Sequence, residues 1–266
     1  MKTLSELLSI NEGIDFDPQN RTVSYNPSHE ENVDTSVKNN PTVDKDIIPD
    51  VDVWSIFKRK KGLRGDGNPL IYALKGENWT FKTEKDRLAI EEQFNKIADK
   101  FVKLHPVGIT IITPSSNKLN DKIADVIMSK SKDAEKIEGV VCKLTTEEVD
   151  DIVLRTDSKF RTVYKDDFNT AYYQLGKYLD DMDNLKKGVF SRHMIKDKTM
   201  RDALDFTLKA SKDKYAEFAN KINGQDILII DDTISRGQTI KDMCKVIKES
   251  YAPKTITVLT LLSKLD

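Results

Sequence analysis

The sequence predicts an α/β fold in which helices flank a parallel sheet. Two stretches carry this prediction, residues 107–128 and 227–262. In each, a short apolar, β-branched run is followed by a polar loop and then by a helical pattern. Because strands that alternate with helices usually pair in parallel, we expect a sheet that is covered on both faces.

The first 50 residues differ in composition from the rest of the chain. After a short amphipathic piece over residues 4–10, residues 27–50 are rich in Asn, Asp, Ser and Pro. Such a tract buries too little apolar area to offset the entropy lost on ordering. We predict an irregular N-terminal extension over residues 1–50 and a folded domain over residues 51–266. An ordered extension that packs on a partner is the alternative.

The elements of the folded domain are predicted in chain order from periodicity and capping signals. Residues 69–74 are predicted as a strand, and residues 83–104 as a helix that Thr83 and Asp86 cap. The first unit then supplies a strand over 107–113 and a helix over 119–128. A strand over 139–144 precedes a mostly helical region, 145–221, with interruptions near 155–166 and 187–188. The last unit has strands at 227–230 and 255–262 around a helix at 239–250.

Composition excludes several classes of function. Charged residues make up 33% of the 266-residue chain, but the net charge is −1, which does not favour a nucleic-acid or membrane surface. Cys142 and Cys244 are the two cysteines, and they lack metal-ligand spacing. The sequence has no basic, apolar leader and no apolar stretch long enough to span a membrane. We therefore expect a cytoplasmic protein with reduced thiols.

The strongest functional signal is the stretch DILIIDDTISRGQTI at residues 226–240. Asp231 and Asp232 follow four apolar residues, at the strand end where ligands bind in open α/β sheets. The next helix start favours an anion, Gly237 permits close backbone approach, and Ser235 and Thr239 supply hydroxyl groups. The acids suit sugar hydroxyls or Mg²⁺, so the pattern predicts a site for a ribose 5-phosphate.

This stretch resembles the phosphoribosyl pyrophosphate signature of the type I phosphoribosyltransferases. The resemblance implies the fold of that family, with a hood, and transfer of a phosphoribosyl group to or from a nitrogenous base with Mg²⁺ as cofactor. It implies that Asp231 and Asp232 are catalytic and hold the ribose hydroxyls, directly or through the metal. The phosphate would lie on Thr233, Ser235, Arg236, Gly237, Gln238 and Thr239. A capped strand-to-helix turn without a ligand is the alternative.

Two residues of the loop depart from the family pattern. Arg236 stands where the family usually has a small residue, so either its backbone alone is used or its guanidinium adds a phosphate contact. Ser235 stands where purine-specific relatives carry an Asp that acts as a base. Purine salvage is therefore disfavoured.

A second loop, residues 113–118, lies where the family binds pyrophosphate. Its backbone amides, the hydroxyls of Ser115 and Ser116, and Asn117 and Lys118 would hold the departing diphosphate. An ordinary cap before the helix is an equal alternative. Upstream, GNPLIYALKGENW loosely resembles a segment of the competence-type branch of the family, in which Lys75 would reach a phosphate or simply be solvated.

Weaker signals concern basic segments. Transfer of this kind needs a mobile basic loop, for which residues 155–161 and 191–194, with His193, are candidates beside the alternative of solvated loops. The basic run over residues 57–64, near Trp54, is expected to be a solvated loop. A contact with nucleic acid or with another subunit is the less favoured alternative.

Two further functions remain open from the sequence. One is a non-catalytic sensor of the phosphoribosyl ligand that acts on a protein partner, or on a second copy of the chain, through the N-terminal arm. The other is an enzyme that makes the donor from ribose 5-phosphate and ATP, or an effector that consumes a nucleotide. The sequence has no recognisable ATP site for an enzyme that makes the donor.

Overall fold

A computed structural model describes residues 12–60, 68–105, 108–114, 118–155, 159–186, 188–204, 206–234 and 237–263. The chain divides into two compact units. Unit 1 comprises Met1–Glu138, Ala219–Ile240 and Ala252–Asp266, and unit 2 comprises Gly139–Phe218 and Lys241–Tyr251. The boundary that the sequence predicts near residue 50 falls inside unit 1.

Unit 1 contains a ten-stranded sheet. Its strands are β1 (Gly13–Asp17), β2 (Thr22–Asn26), β3 (Val33–Asp34), β4 (Thr42–Ile48), β5 (Val51–Arg59), β6 (Thr80–Phe81), β7 (Ile109–Ile112), β8 (Glu135–Ile137), β11 (Asp226–Thr233) and β12 (Thr255–Leu262). The strand order is β6-β2-β1-β3-β5-β12-β11-β7-β8, and β4 pairs with β5.

The parallel part of this sheet extends from β5 to the edge strand β8, and the antiparallel pairs lie around β5 and β1. Strands β5, β12, β11, β7 and β8 run in parallel, whereas β3 and β4 pair with β5 in the antiparallel sense. The predicted α/β class with a mainly parallel, helix-flanked sheet is confirmed. The predicted strand over residues 255–262 has the bounds of β12.

Three helices cover one face of the unit 1 sheet. They are α1 (Pro69–Lys75), α2 (Glu84–Leu104) and α3 (Leu119–Lys130), and the predicted helices over 83–104 and 119–128 are confirmed. Leu228 and Ile230 of β11 share a core with Ile97 of α2 and Ile123 of α3. The alternation of side chains along β11 places these two residues on the same face.

The predicted strand over residues 69–74 is wrong, because this segment is helix α1. The side chain of Asn68 accepts a hydrogen bond from the Leu70 amide, and Pro69 occupies the first turn. Gly76 ends the helix with a left-handed backbone at φ 73°. These are standard start and stop signals for a helix, and they outweigh the strand-like apolar run.

The prediction of an irregular N-terminal extension is also corrected. Strands β1 to β4 lie within residues 13–48, and β3 and β4 pair directly with β5. Each strand brings few apolar residues, but Ile14, Val23 and Val33 are fully buried in the core of unit 1. Pairing with a long buried strand orders segments whose own composition is too polar to fold alone.

Unit 2 has its own hydrophobic core. Its helices are α4 (Thr146–Arg155), α5 (Lys159–Tyr164), α6 (Phe168–Lys186) and α7 (Lys198–Ala203), with two 3₁₀ turns, Lys165–Asp167 and Arg192–Met194. Strands β9 (Val141–Lys143) and β10 (Leu208–Ala210) form an antiparallel pair. The mostly helical prediction is confirmed except at β10. The core includes Phe160, Leu175 and Met182.

Two helices contain residues of both units. They are α8 (Tyr215–Ile222) and α9 (Gln238–Ser250). The first three residues of α9, Gln238 to Ile240, belong to unit 1 with the acid pair. None of the helices in the described ranges is long and apolar enough to cross a membrane.

The start of the basic run is buried strand, which corrects the expected solvated loop. Phe57 and Arg59 lie in β5 and are 0% and 4% exposed. Residues 61–64 lie outside the described ranges. Trp54, on the same strand, contacts the rings of Phe101 and His105. This part of the run therefore serves the core of unit 1.

Candidate functional site

The sheet of unit 1 has a topological switch point between β7 and β11. These strands are adjacent and parallel, with Ile230 opposite Ile112. From β7 the chain passes through α3 to β8 on one side, and from β11 it passes through α9 to β12 on the other. Connections that leave in opposite directions open a crevice at the carboxyl ends of the two strands, where ligands bind in open α/β sheets.

Three elements meet at Asp231 in this crevice. Its Oδ1 accepts hydrogen bonds from the Asp232 amide (2.9 Å), the Thr113 hydroxyl (3.2 Å) and the Asn120 side-chain amide (3.4 Å). Asn120 also donates to Thr113 Oγ1 at 2.7 Å. Thr113 directly follows β7, and Asn120 is the second residue of α3, so the end of β11 is tied to both ends of the loop between β7 and α3.

The strand continues through the acid pair, whereas the sequence places the acids just beyond it. Strand β11 ends at Thr233, and Asp231 and Asp232 are half-buried as whole residues. Burial within the protein is the main cause that raises the pKa of Asp231 to about 7, and the neighbouring charge of Asp232 acts in the same direction. The three hydrogen bonds oppose this rise but do not cancel it. The ionised carboxylate of Asp231 is therefore not fully stabilised by the neutral groups that bond to it.

Asp232 has a cationic partner, Lys75. The distance from Lys75 Nζ to Asp232 Oδ2 is 2.5 Å, and the side chains are 15% and 13% exposed. Lys75 is the last residue of α1, so the helix that replaces the predicted strand delivers the lysine to the acid pair. The sequence singles out Lys75 as a candidate for a phosphate, and the structure places it on a carboxylate.

Two buried side-chain oxygen atoms on the elements around the acid pair have no hydrogen-bond partner in the protein. The side-chain oxygen of Asn120, a residue that is 2% exposed, and the hydroxyl of Thr233 have no hydrogen-bond partner. Buried polar atoms are nearly always paired, so these two oxygen atoms are available to a ligand, an ion or a water. Within the described ranges, no group of three or more His, Cys, Asp or Glu side chains could hold a metal.

The oxygen atoms present nevertheless suit Mg²⁺. This ion usually takes one or two carboxylates from the protein and completes its shell with waters and ligand phosphates, so a three-carboxylate cluster is not required. Asp231 and Asp232 are the residues that would hold it.

The loop after β11 is only partly described. Ser235 and Arg236 lie outside the described residues. Gly237 is buried and has a φ of 69°, and α9 begins at the next residue, Gln238. Thr239, in the first turn of α9, is exposed. A left-handed glycine directly before a helix start leaves backbone amides open towards an anion.

A buried arginine supports the start of this loop. Arg59 Nη2 donates to the carbonyl oxygen of Ile234 at 3.0 Å, and the Arg59 amide donates to Ser263 Oγ at 2.8 Å. Both contacts lie at the carboxyl ends of β5, β12 and β11. Arg59 therefore positions the backbone that leads from the acid pair into the predicted phosphate loop.

Most of the predicted pyrophosphate loop lies outside the described residues, namely Ser115, Ser116 and Asn117. Lys118 is exposed, and its side chain does not cap α3. The residues that flank the loop, Thr113 and Asn120, both bond to Asp231. This loop and the acid pair therefore share one end of the crevice.

The candidate basic segments belong to unit 2. Arg155 forms an ion pair with Asp151, residues 156–158 lie outside the described ranges, and Arg161 donates to the carbonyls of Val153 and Leu154. In the other segment, Arg192 Nε donates to the Arg201 carbonyl at 2.7 Å. His193 lies in the 3₁₀ turn, Arg192–Met194. These contacts are local to unit 2.

Sequence reasoning missed Asn120 and Arg59, although both leave a signal. Asn120 lies on the helix face that Ile123, Ala124 and Ile127 bury, and a polar residue in the first turn of such a face indicates a specific bonding role. Arg59 ends a strand that is otherwise mostly buried. A charged residue in such a strand indicates a fixed partner.

Comparison of the chain with protein-family models, with curated proteins and with solved structures gives no significant match.

Proposed function

We propose that this chain binds phosphoribosyl pyrophosphate with Mg²⁺ and transfers the phosphoribosyl group to or from a nitrogenous base. One observation carries the proposal. The two carboxylates of the signature stretch lie at the switch point of a mainly parallel sheet, next to buried side-chain oxygens without hydrogen-bond partners, and Asp232 lies five residues before a left-handed glycine that directly precedes a helix.

The roles of the acid pair follow from the charges around it. Asp231 has only neutral donors, so its ionised form is disfavoured until a cation or ligand hydroxyl reaches it. Ribose hydroxyls or Mg²⁺ would supply that stabilisation. The oxygen of Asn120 would accept a hydrogen bond from a ribose hydroxyl or from a metal-bound water.

The phosphates would lie on both sides of the acid pair. The 5-phosphate fits the loop before α9, where Gly237 removes the steric barrier to close approach. The diphosphate fits the loop between Thr113 and Asn120, at the start of α3. Bound Mg²⁺ would neutralise charge that develops on the departing diphosphate. The protein's own contribution would be to hold the sugar and the diphosphate in position beside the acid pair.

The decisive experiment incubates the protein with phosphoribosyl pyrophosphate, Mg²⁺ and a panel of bases, and follows the release of pyrophosphate. We expect release with at least one base from the wild type and none from Asp231→Asn/Asp232→Asn. Ligand affinity is measured in parallel by calorimetry. Unchanged affinity in the double variant would show that the ligand does not bind at the acid pair.

The same experiment separates transfer from sensing. Tight binding of phosphoribosyl pyrophosphate without pyrophosphate release from any base would identify a non-catalytic sensor. Absence of binding by the wild type would reject both functions.

A further inference from the structure

We propose that Lys75 competes with the divalent metal for Asp232 and moves to the phosphates of the ligand when the metal binds. This inference rests on the function proposed above, and it adds a positioning residue and a binding order. Metal bound to diphosphate would be accepted readily, whereas metal alone would be accepted poorly.

Lys75 lies where a metal ion on Asp232 would bind. At 2.5 Å from Asp232 Oδ2, the ammonium of Lys75 occupies the space that a metal ion on the same oxygen would need. Magnesium binds carboxylate oxygens at about 2.1 Å, so the two cations cannot share this oxygen without close repulsion. Both side chains are mostly shielded from water, which strengthens the attraction that the metal must replace.

Lys75 balances only part of the negative charge of the acid pair. The acid pair carries two carboxylates, and Lys75 contacts one of them. The donors to the other carboxylate, Asp231, are a backbone amide, a hydroxyl and a side-chain amide, and none of them is charged. Lys75 therefore partly neutralises the pair without filling the position next to Asp231. A divalent ion would neutralise both acids.

The side chain of Lys75 can move without disturbing the fold. Leu70 and Ile71 of α1 are buried, and the Gly76 amide bonds to the carbonyl oxygens of Tyr72 and Ala73 at the helix end. The backbone at Lys75 is thus anchored. A lysine has a flexible four-carbon stem, so its ammonium can leave Asp232 for a phosphate oxygen nearby.

Lys75 therefore couples the binding of metal to the binding of diphosphate. Metal that arrives alone displaces Lys75 and leaves a partly buried ammonium without an anion. Metal that arrives with a diphosphate brings the anion with it. Lys75 therefore lowers the affinity for free metal and raises the affinity for the metal–diphosphate complex.

The test compares free Mn²⁺ with the Mn²⁺–pyrophosphate complex at pH 8, using electron paramagnetic resonance and calorimetry to measure affinity. Lys75→Met and Lys75→Gln remove the charge, and Lys75→Arg keeps it. Lys130→Met is the matched control, because Lys130 is also in the last turn of a helix and pairs with an aspartate, Asp99. Ten residues of helix, about 15 Å, separate Lys130 from Asn120. Circular dichroism identifies the variants that keep the native fold.

We expect the neutral variants to bind free Mn²⁺ at least about tenfold more tightly than the wild type, since a nearby positive charge is removed. They should bind the Mn²⁺–pyrophosphate complex about tenfold more weakly, because a charge-assisted phosphate contact is lost. Lys75→Arg should keep the low affinity for free Mn²⁺, and Lys130→Met should match the wild type in both.

Unchanged or weaker binding of free Mn²⁺ by the neutral variants would refute the competition. Unchanged binding of the complex would refute the transfer of Lys75 to the phosphates. Failure of the proposed function is a separate result, namely a wild type that does not bind phosphoribosyl pyrophosphate. In that case the free Mn²⁺ measurement still decides whether Lys75 excludes the metal.

Discussion

Replacement of Asp231 by Asn should make the metal-free protein more stable at pH 8. The pKa of Asp231 is raised from 3.8 to about 7 in the folded protein, mainly by burial. Between about pH 4 and pH 7 the folded state keeps a proton that the unfolded state has already released. The free energy of unfolding therefore falls as pH rises through that window. Above pH 7 the whole cost of the charge is present.

The size of the effect follows from the shift. A pKa difference of about three between the folded and unfolded states corresponds to about 4 kcal/mol. Water that reaches the half-buried Asp231 reduces this cost to about 2–4 kcal/mol. Asn at this position still accepts the hydrogen bond from the Asp232 amide. The gain of Asp231→Asn should be largest at pH 8 and close to zero at pH 4.

Urea unfolding in the presence of a chelator measures this gain, with the fluorescence of Trp54 and Trp79 as a probe of unit 1. Asp226→Asn is the matched control at the other end of β11. Hydrogen bonds from Thr255 and Lys254 lower the pKa of Asp226, so its replacement should reduce stability at pH 8. An Asp231→Asn variant that is no more stable than the wild type at pH 8, or a gain that does not change with pH, would refute the reasoning.

Two further substitutions test the crevice. Gly237→Val should abolish binding of phosphoribosyl pyrophosphate and cost about 1–2 kcal/mol of stability, since a β-branched residue is strained at φ 69°. Gly176→Val is the control, because the space around Gly176 is open, and it should leave the calorimetric affinity unchanged. Equal affinity in both variants would contradict a phosphate loop at Gly237. Asn120→Leu should weaken binding of Mn²⁺–pyrophosphate about tenfold and destabilise the protein by about 1–3 kcal/mol, because Asp231 and Thr113 lose a buried donor. The exposed Asn95→Leu should do neither, and wild-type affinity in a folded Asn120→Leu variant would contradict a role for Asn120 in the ligand site.

The last α/β unit shows how much of the fold local sequence can specify. Four apolar residues, a polar loop, an amphipathic helix and a second apolar run predicted β11, α9 and β12, and the bounds of β12 agree with the prediction. Local signals suffice here because each strand consists mostly of apolar residues, so its burial can be predicted from its own sequence. The acid pair could be placed at the sheet edge for the same reason.

The segments before residue 80 show where local signals fail. Strands β1 to β4 are too polar to be recognised, and they are ordered by pairing and by the burial of a few side chains such as Val23. Helix α1 has a strand-like apolar run, but its capping residues Asn68 and Gly76 make it a helix. In both cases a contact or cap outside the apolar pattern decides the structure.

The sequence alone determined the α/β class, the apolar strand that leads into Asp231 and Asp232, and the glycine that precedes the following helix. These features depend on short-range periodicity and on backbone sterics, which neighbouring residues specify. Only the tertiary structure decided that Thr113, Asn120 and Lys75 meet at the acid pair. They lie 118, 111 and 157 residues before the carboxylates that they contact, and sheet pairing and helix packing bring such distant residues together.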